Sequence, residues 1–112
     1  MAFIGTNAAV AWVNTTGTGT IRDSYNVTSV TRNGEGDITV DFSSNITDND
    51  YVVTGWTDNW EGSNADSGGI VTGESNNCMA VDGVRVVTLR ARFDQHPPQR
   101  KDFGVVCIAI FR

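Results

Sequence analysis

The sequence predicts an all-β fold: a compact antiparallel β-sandwich. Three observations carry that prediction. Apolar residues alternate or run together in short segments, and no stripe of helical period survives anywhere. Polar turn residues interrupt those segments at intervals of roughly 8–12 residues, the spacing of sandwiches and barrels. The composition is 39% hydrophobic and 19% charged, with 12 glycines scattered without a period, which is too apolar for a disordered chain. At 112 residues the chain is one domain, spanning 1–112, with a single modest core.

Taken in order, Ala8-Ala9-Val10-Ala11-Trp12-Val13 is a strand without a polar residue on either face. Such a run reads as a strand covered on both sides. Residues 14–19 follow as a loop or bulge. Strands are expected near 20–23 and 25–32, then a hairpin turn at Asn33-Gly34-Glu35-Gly36, where glycine permits positive φ. The next strand, 37–42, alternates cleanly: Ile38, Val40 and Phe42 face in, while Asp37, Thr39 and Asp41 face out. Residues 43–50 read as polar loop and 51–56 as strand. The stretch 57–69 has no strand pattern and is long for a connection, so it reads as a functional loop. A short edge strand is expected at 69–72. A long strand follows at 84–93, with Val87, Leu89, Ala91 and Phe93 on one face and Thr88, Arg90 and Arg92 on the other. Residues 94–102 form a loop with Pro97-Pro98 at its tip, and 103–111 form the last strand.

That last strand carries Val106, Ile108 and Ile110 on one face and Val105, Cys107, Ala109 and Phe111 on the other. A half-exposed sheet needs one apolar face, not two. Loops of the same chain or a second subunit must cover the other face, since an open one invites aggregation. A homo-oligomer contact is the expectation, made by Trp12, Val105, Cys107, Ala109 and Phe111. Trp12 belongs either to the core or to that interface.

The formal net charge is -5, which disfavours nucleic acid and anionic lipid as partners. No apolar run is long enough to insert in a membrane, and no basic-then-apolar leader opens the sequence, so synthesis and folding in a cytoplasm are expected. Cys78 and Cys107 are expected as two reduced thiols, with Cys107 a small core residue. One histidine and two separated thiols do not make a zinc site, and the carboxylates of 58–66 do not follow a calcium-loop spacing. No cofactor is expected. The three Asn-x-Thr sequons are chance matches in an Asn- and Thr-rich β protein.

The stretches Ala11-Trp12-Val13-Asn14, Gly17-Thr18-Gly19 and Ile21-Arg22-Asp23-Ser24-Tyr25-Asn26-Val27-Thr28-Ser29-Val30 are distinctive in their order. So are Asn33-Gly34-Glu35-Gly36-Asp37-Ile38-Thr39-Val40-Asp41-Phe42, Asp48-Asn49-Asp50-Tyr51-Val52-Val53 and Cys107-Ile108-Ala109-Ile110-Phe111. Together these resemble the C-terminal tip domain of phage and prophage tail-fibre proteins. The resemblance covers about the first 55 residues and the last ten. It implies a virion protein at the tip of a fibre or appendage, trimeric, contacting the host surface, without catalysis or cofactor. The alternative it leaves is a decoration or adaptor attached to another virion protein, binding no receptor.

The residues agree with a non-enzymatic reading. His96 is the only histidine, in a solvated loop, with no nucleophile motif near it. The carboxylates lack the cleft that glycoside cleavage needs. The aromatic signal is better. Trp60, among Asp58, Asn59, Glu61 and Asn64, is a candidate sugar platform; loop packing or an interface is the competing role. The candidate ligand-binding set is therefore Trp56, Asp58, Asn59, Trp60, Glu61, Asn64 and His96, on loops 57–69 and 94–102. The partner would be a host-surface glycan or protein. Arg85, Arg90, Arg92, Arg100 and Lys101 form a basic cluster, read as a solvated face paired with Asp residues or as a contact to an acidic partner.

Overall fold

A computed structural model describes residues 9–58, 69–73, 77–90 and 99–112, and every one of its strand pairs is antiparallel. The strands are β1 (Ala9–Thr15), β2 (Ile21–Tyr25), β3 (Val27–Gly34), β4 (Asp37–Phe42) and β5 (Val52–Asp58). They continue with β6 (Gly69–Gly73), β7 (Met79–Ala80), β8 (Gly83–Arg90), β9 (Gln99–Arg100) and β10 (Val105–Phe111). One sheet is four-stranded, in the order β2-β1-β10-β5. The other is six-stranded, with the path β3-β4-β8-β6, and β7 and β9 also pair with β8. No helix occurs among the described residues.

The inner residues of both sheets join in one core. Ala11, Val13, Val106, Ile108 and Ile110 come from the four-stranded sheet; Val27, Val30, Ile38, Val40, Phe42, Val84 and Val86 come from the other. The arrangement is sandwich-like, and the inward positions of β4 are those that alternation predicts. In β8 the phase differs from expectation. Val84 and Val86 enter the core, and Val87 is buried on the opposite side. The register decides this, because Val84 and Val86 stand opposite Val40 and Ile38. Residues 91–98, which take in the expected strand end 91–93 and the first half of the expected loop 94–102, lie outside the described residues.

The chain crosses from one sheet to the other at Asn26, two residues after the break that the sequence suggests at residue 24. Asn26 has φ 54°, a left-handed conformation that asparagine tolerates better than most residues. Its side chain secures the corner. Nδ2 donates to the carbonyls of Val10 (3.1 Å) and Ser44 (3.1 Å), and Oδ1 accepts from the Ser44 amide (2.7 Å). The β3–β4 turn is a second fixed point. Gly36 has φ 64°, and a Cβ there would lie 2.6 Å from both the Lys101 nitrogen and the Thr88 oxygen. The space is closed because the turn is docked: the Gly36 amide donates to Asp102 (2.8 Å), and its carbonyl accepts from the Thr88 amide (2.8 Å).

Asp37 does not face solvent as expected. It is 3% exposed, and its carboxylate is held by Arg85 (2.6 Å) and Arg100 (3.3 Å), with Asn33 alongside (3.2 Å). Two members of the basic cluster are thus committed to one buried acid. Arg90 reaches Gln99 (2.6 Å), and the Lys101 ammonium lies 5.4 Å from the Phe103 ring centre. Arg92 lies outside the described residues. The loop 43–50 hides one core residue, Ile46, and Tyr51 follows it. The buried Tyr51 hydroxyl lies within donating distance of the carbonyls of Ala80 (2.9 Å) and Gly83 (3.1 Å), and its ring meets Phe42 edge-on at 5.9 Å.

Two predictions follow from these fixed points. Asn26→Ala removes a residue suited to positive φ along with three hydrogen bonds; it should lower stability by about 1–3 kcal/mol in denaturant melts. The Arg85 hydrogen bond, with help from Asn33 and the charges of Arg85 and Arg100, holds the Asp37 carboxyl below the usual carboxylate range. A depressed folded-state value contributes stability above the unfolded value, about pH 4, and that stability is lost as pH falls below it. Acid melts of Asp37→Asn should therefore be less pH-dependent below about pH 4 than those of the parent protein.

Candidate functional site

The two sheets have opposite outer faces. On the outer face of the six-stranded sheet stand Ser29, Thr31, Thr39, Asp41, Arg85 and the paired Asp37, together with Val87, which is buried, and Leu89, which is half-buried, so the exposed side chains among these are polar. The four-stranded sheet presents aromatic and aliphatic groups instead. Trp12 is 37% exposed, Tyr25 56%, Trp56 59%, Val52 61% and Phe111 37%.

Strand register explains why these side chains meet. Directly paired residues of antiparallel strands share a face. Tyr25 pairs with Trp12, Trp12 with Ala109, and Ala109 with Thr54, so one row crosses all four strands. A neighbouring row runs through Asp23, Asn14, Cys107 and Trp56, and a third pairs Phe111 with Val52. Trp12 and Trp56 therefore stand on opposite sides of β10, displaced by one row. Between them lies an open groove of about 290 Å³, lined by Trp12, Asn14, Thr54, Trp56, Cys107 and Ala109, with Gly55 at its base. Small residues on the central strand make the groove; large ones on its neighbours make the walls.

The groove is lined by uncharged side chains. Burial pushes the Cys107 thiol above its ordinary value, partly offset by the charge of Arg22, so the group stays protonated at neutral pH. Arg22 lies at one end, where its guanidinium donates to the Gly104 carbonyl (2.6 Å), the Thr15 carbonyl (3.3 Å) and Asn14 (3.4 Å).

Of the expected interface residues, Trp12, Cys107, Ala109 and Phe111 lie on this face. Val105 is buried at 6% exposure and does not extend it. Cys107 is half-buried on the outer face rather than in the core. Both cysteines are free thiols. Of the expected ligand-binding residues, Trp56 and Asp58 are exposed on β5. Trp56 thereby joins the expected interface set, directly opposite Cys107, and not a separate loop site. Asn59, Trp60, Glu61, Asn64 and His96 lie outside the described residues. Tyr25, Asn14, Thr54 and Val52 were not singled out from the sequence. The alternation of Asp23 with Tyr25 and of Val52 with Thr54 carried the signal, but which partner strands they meet is a matter of topology.

Among the described residues no cluster of His, Cys, Asp and Glu is arranged to hold a metal ion. Comparisons with family models, with curated proteins and with solved structures find no match.

One chemical consequence is measurable. In a Cys78→Ser background, alkylation of Cys107 in dilute protein should accelerate with pH, with a midpoint above the ordinary thiol value of about 8.5. A midpoint at or below that value would contradict the environment described.

Proposed function

We propose that the chain is a phage virion protein of fibre- or appendage-tip type, which assembles as a homotrimer of β-sandwiches and binds the host surface. The observation that carries this is the contrast between the two outer faces. A sheet with a polar outer face needs no partner. A sheet whose outer face holds two tryptophans, a tyrosine, a phenylalanine and a valine leaves apolar surface in water, the mark of an interaction site. Self-association through Trp12, Trp56, Cys107, Ala109 and Phe111 supplies that partner without invoking another chain. The resemblance to tail-fibre tip domains supports three as the number. It also supports a role in attachment, with host glycan as the ligand and, as the receptor-facing segments, the stretches 57–69 and 94–102 read from the sequence as loops, of which 57–58, 69 and 99–100 belong to strands. The protein is not proposed as an enzyme.

Light scattering at micromolar concentration should give three times the 12.1 kDa chain mass. Trp56→Ser is exposed and outside the core, so it should keep the melting behaviour of the fold while reducing the mass towards one chain. A monomeric parent protein would overturn the assembly. Microscopy of virions then tests the place: a few copies at appendage ends agree with the proposal, whereas many symmetric copies on a shell would replace it with a decoration.

A further inference from the structure

The groove and the projections beside it are complementary in chemistry, and both lie on the same face. We infer that Tyr25 of one copy inserts between Trp12 and Trp56 of a second copy, with its hydroxyl toward Asn14 and Thr54; this rests on the self-association proposed above.

Four observations lead to this contact. First, Tyr25 lies on β2, one of the two edge strands of the four-stranded sheet, and is 56% exposed. A side chain at an edge reaches a neighbouring molecule without displacing a strand. Second, its position is set by the Asn26 corner directly after it, whose hydrogen bonds to Val10 and Ser44 fix the backbone there. A pre-placed side chain with two rotatable bonds loses little entropy on docking. Third, the groove offers what a tyrosine needs: two indole walls for ring contact, a floor of Ala109 and Gly55, and a polar amide and hydroxyl in Asn14 and Thr54 for the phenol group. Fourth, the groove lining is uncharged, so the inserted tyrosine displaces water from no ion within the groove, in a protein of net charge -5.

Other projections fit less well. Val52 is too short to bring ring surface between the walls, and it has no polar tip for Asn14 or Thr54. Trp56 is itself a wall. Phe111 stands on β10 in register with Val52, away from the free edge at β2.

The contact cannot be made within one chain. Tyr25 and the Cys107 position lie on strands two spacings apart, about 10 Å, beyond the roughly 7 Å between α-carbons that a disulfide spans. That distance supplies the test. In a Cys78→Ser background, and at a protein concentration well above that at which Tyr25→Ala dissociates, Tyr25→Cys should form a disulfide between its new thiol and the native Cys107 of a neighbouring copy. Copper-phenanthroline oxidation at alkaline pH should shift the monomer band on a non-reducing gel to covalent multimers, while the Cys78→Ser parent stays monomeric on the gel. By light scattering, Tyr25→Ala should fall to monomer at a concentration where Tyr25→Phe remains assembled.

If the parent assembles but Tyr25→Ala assembles equally well, the inference fails while the proposed function stands. Cross-linking through Val52→Cys but not through Tyr25→Cys likewise overturns it. So does a neutral oligosaccharide that blocks Cys107 alkylation while Tyr25→Ala still assembles like the parent, which would assign the groove to sugar. A parent protein that is monomeric by light scattering removes the premise and the inference together.

Discussion

A chain of this size can bury one core, and the sheet containing its last strand has two apolar faces to satisfy. This mismatch governs the molecule. β10 places Val106, Ile108 and Ile110 inside, all at 2% exposure or less, and its remaining residues on the outside. Its neighbours β1 and β5 follow, because register brings Trp12 and Trp56 onto the outer face whenever Val13 and Thr57 turn inward. The hydrophobic effect is non-directional and proportional to area removed from water. A face of this composition therefore stays costly until something covers it, whereas the polar outer face of the other sheet is at rest in solvent.

The opposite sheet owes its composure to charge placement. Asp37 is an acid buried in a sheet, tolerated because two arginines and an asparagine satisfy it. Asp102 plays the matching role at the turn, receiving Arg32 (2.8 Å) and the Gly36 amide (2.8 Å). These contacts join β3, β4, β8 and the segment leading into β10, so residues distant in sequence are fastened on the polar side. The result is a scaffold with one finished side and one open side.

Much of this was legible from residue pattern. The hairpin at Gly34–Asp37, the inward set of β4 and the double-faced character of β10 all follow from period-2 alternation and glycine placement. What escaped the sequence has a common cause. The short strands β7 and β9 exist only because β8 offers unpaired backbone on both edges. Thr15, Asp37 and Ile46 look like surface residues, and tertiary partners bury them. The phase of β8 depends on which strand it pairs with. Trp56 reads as the start of a loop until the register opposite Cys107 is known. Local pattern fixes what a segment prefers; long-range pairing fixes which neighbour answers it.

The position of β10 also shapes how the protein comes into being. It lies between β1, near the start of the chain, and β5, near the middle, and it is the last strand in sequence. On a ribosome, neither of those strands has its central partner until β10 has emerged, long after both of them. Pairings of such long sequence separation are slow to form, and the waiting edges are open to other chains. The six-stranded sheet, by contrast, starts from a local hairpin between β3 and β4. Folding is thus ordered by topology: the polar half organises early, and the aromatic face comes into existence only once β10 arrives.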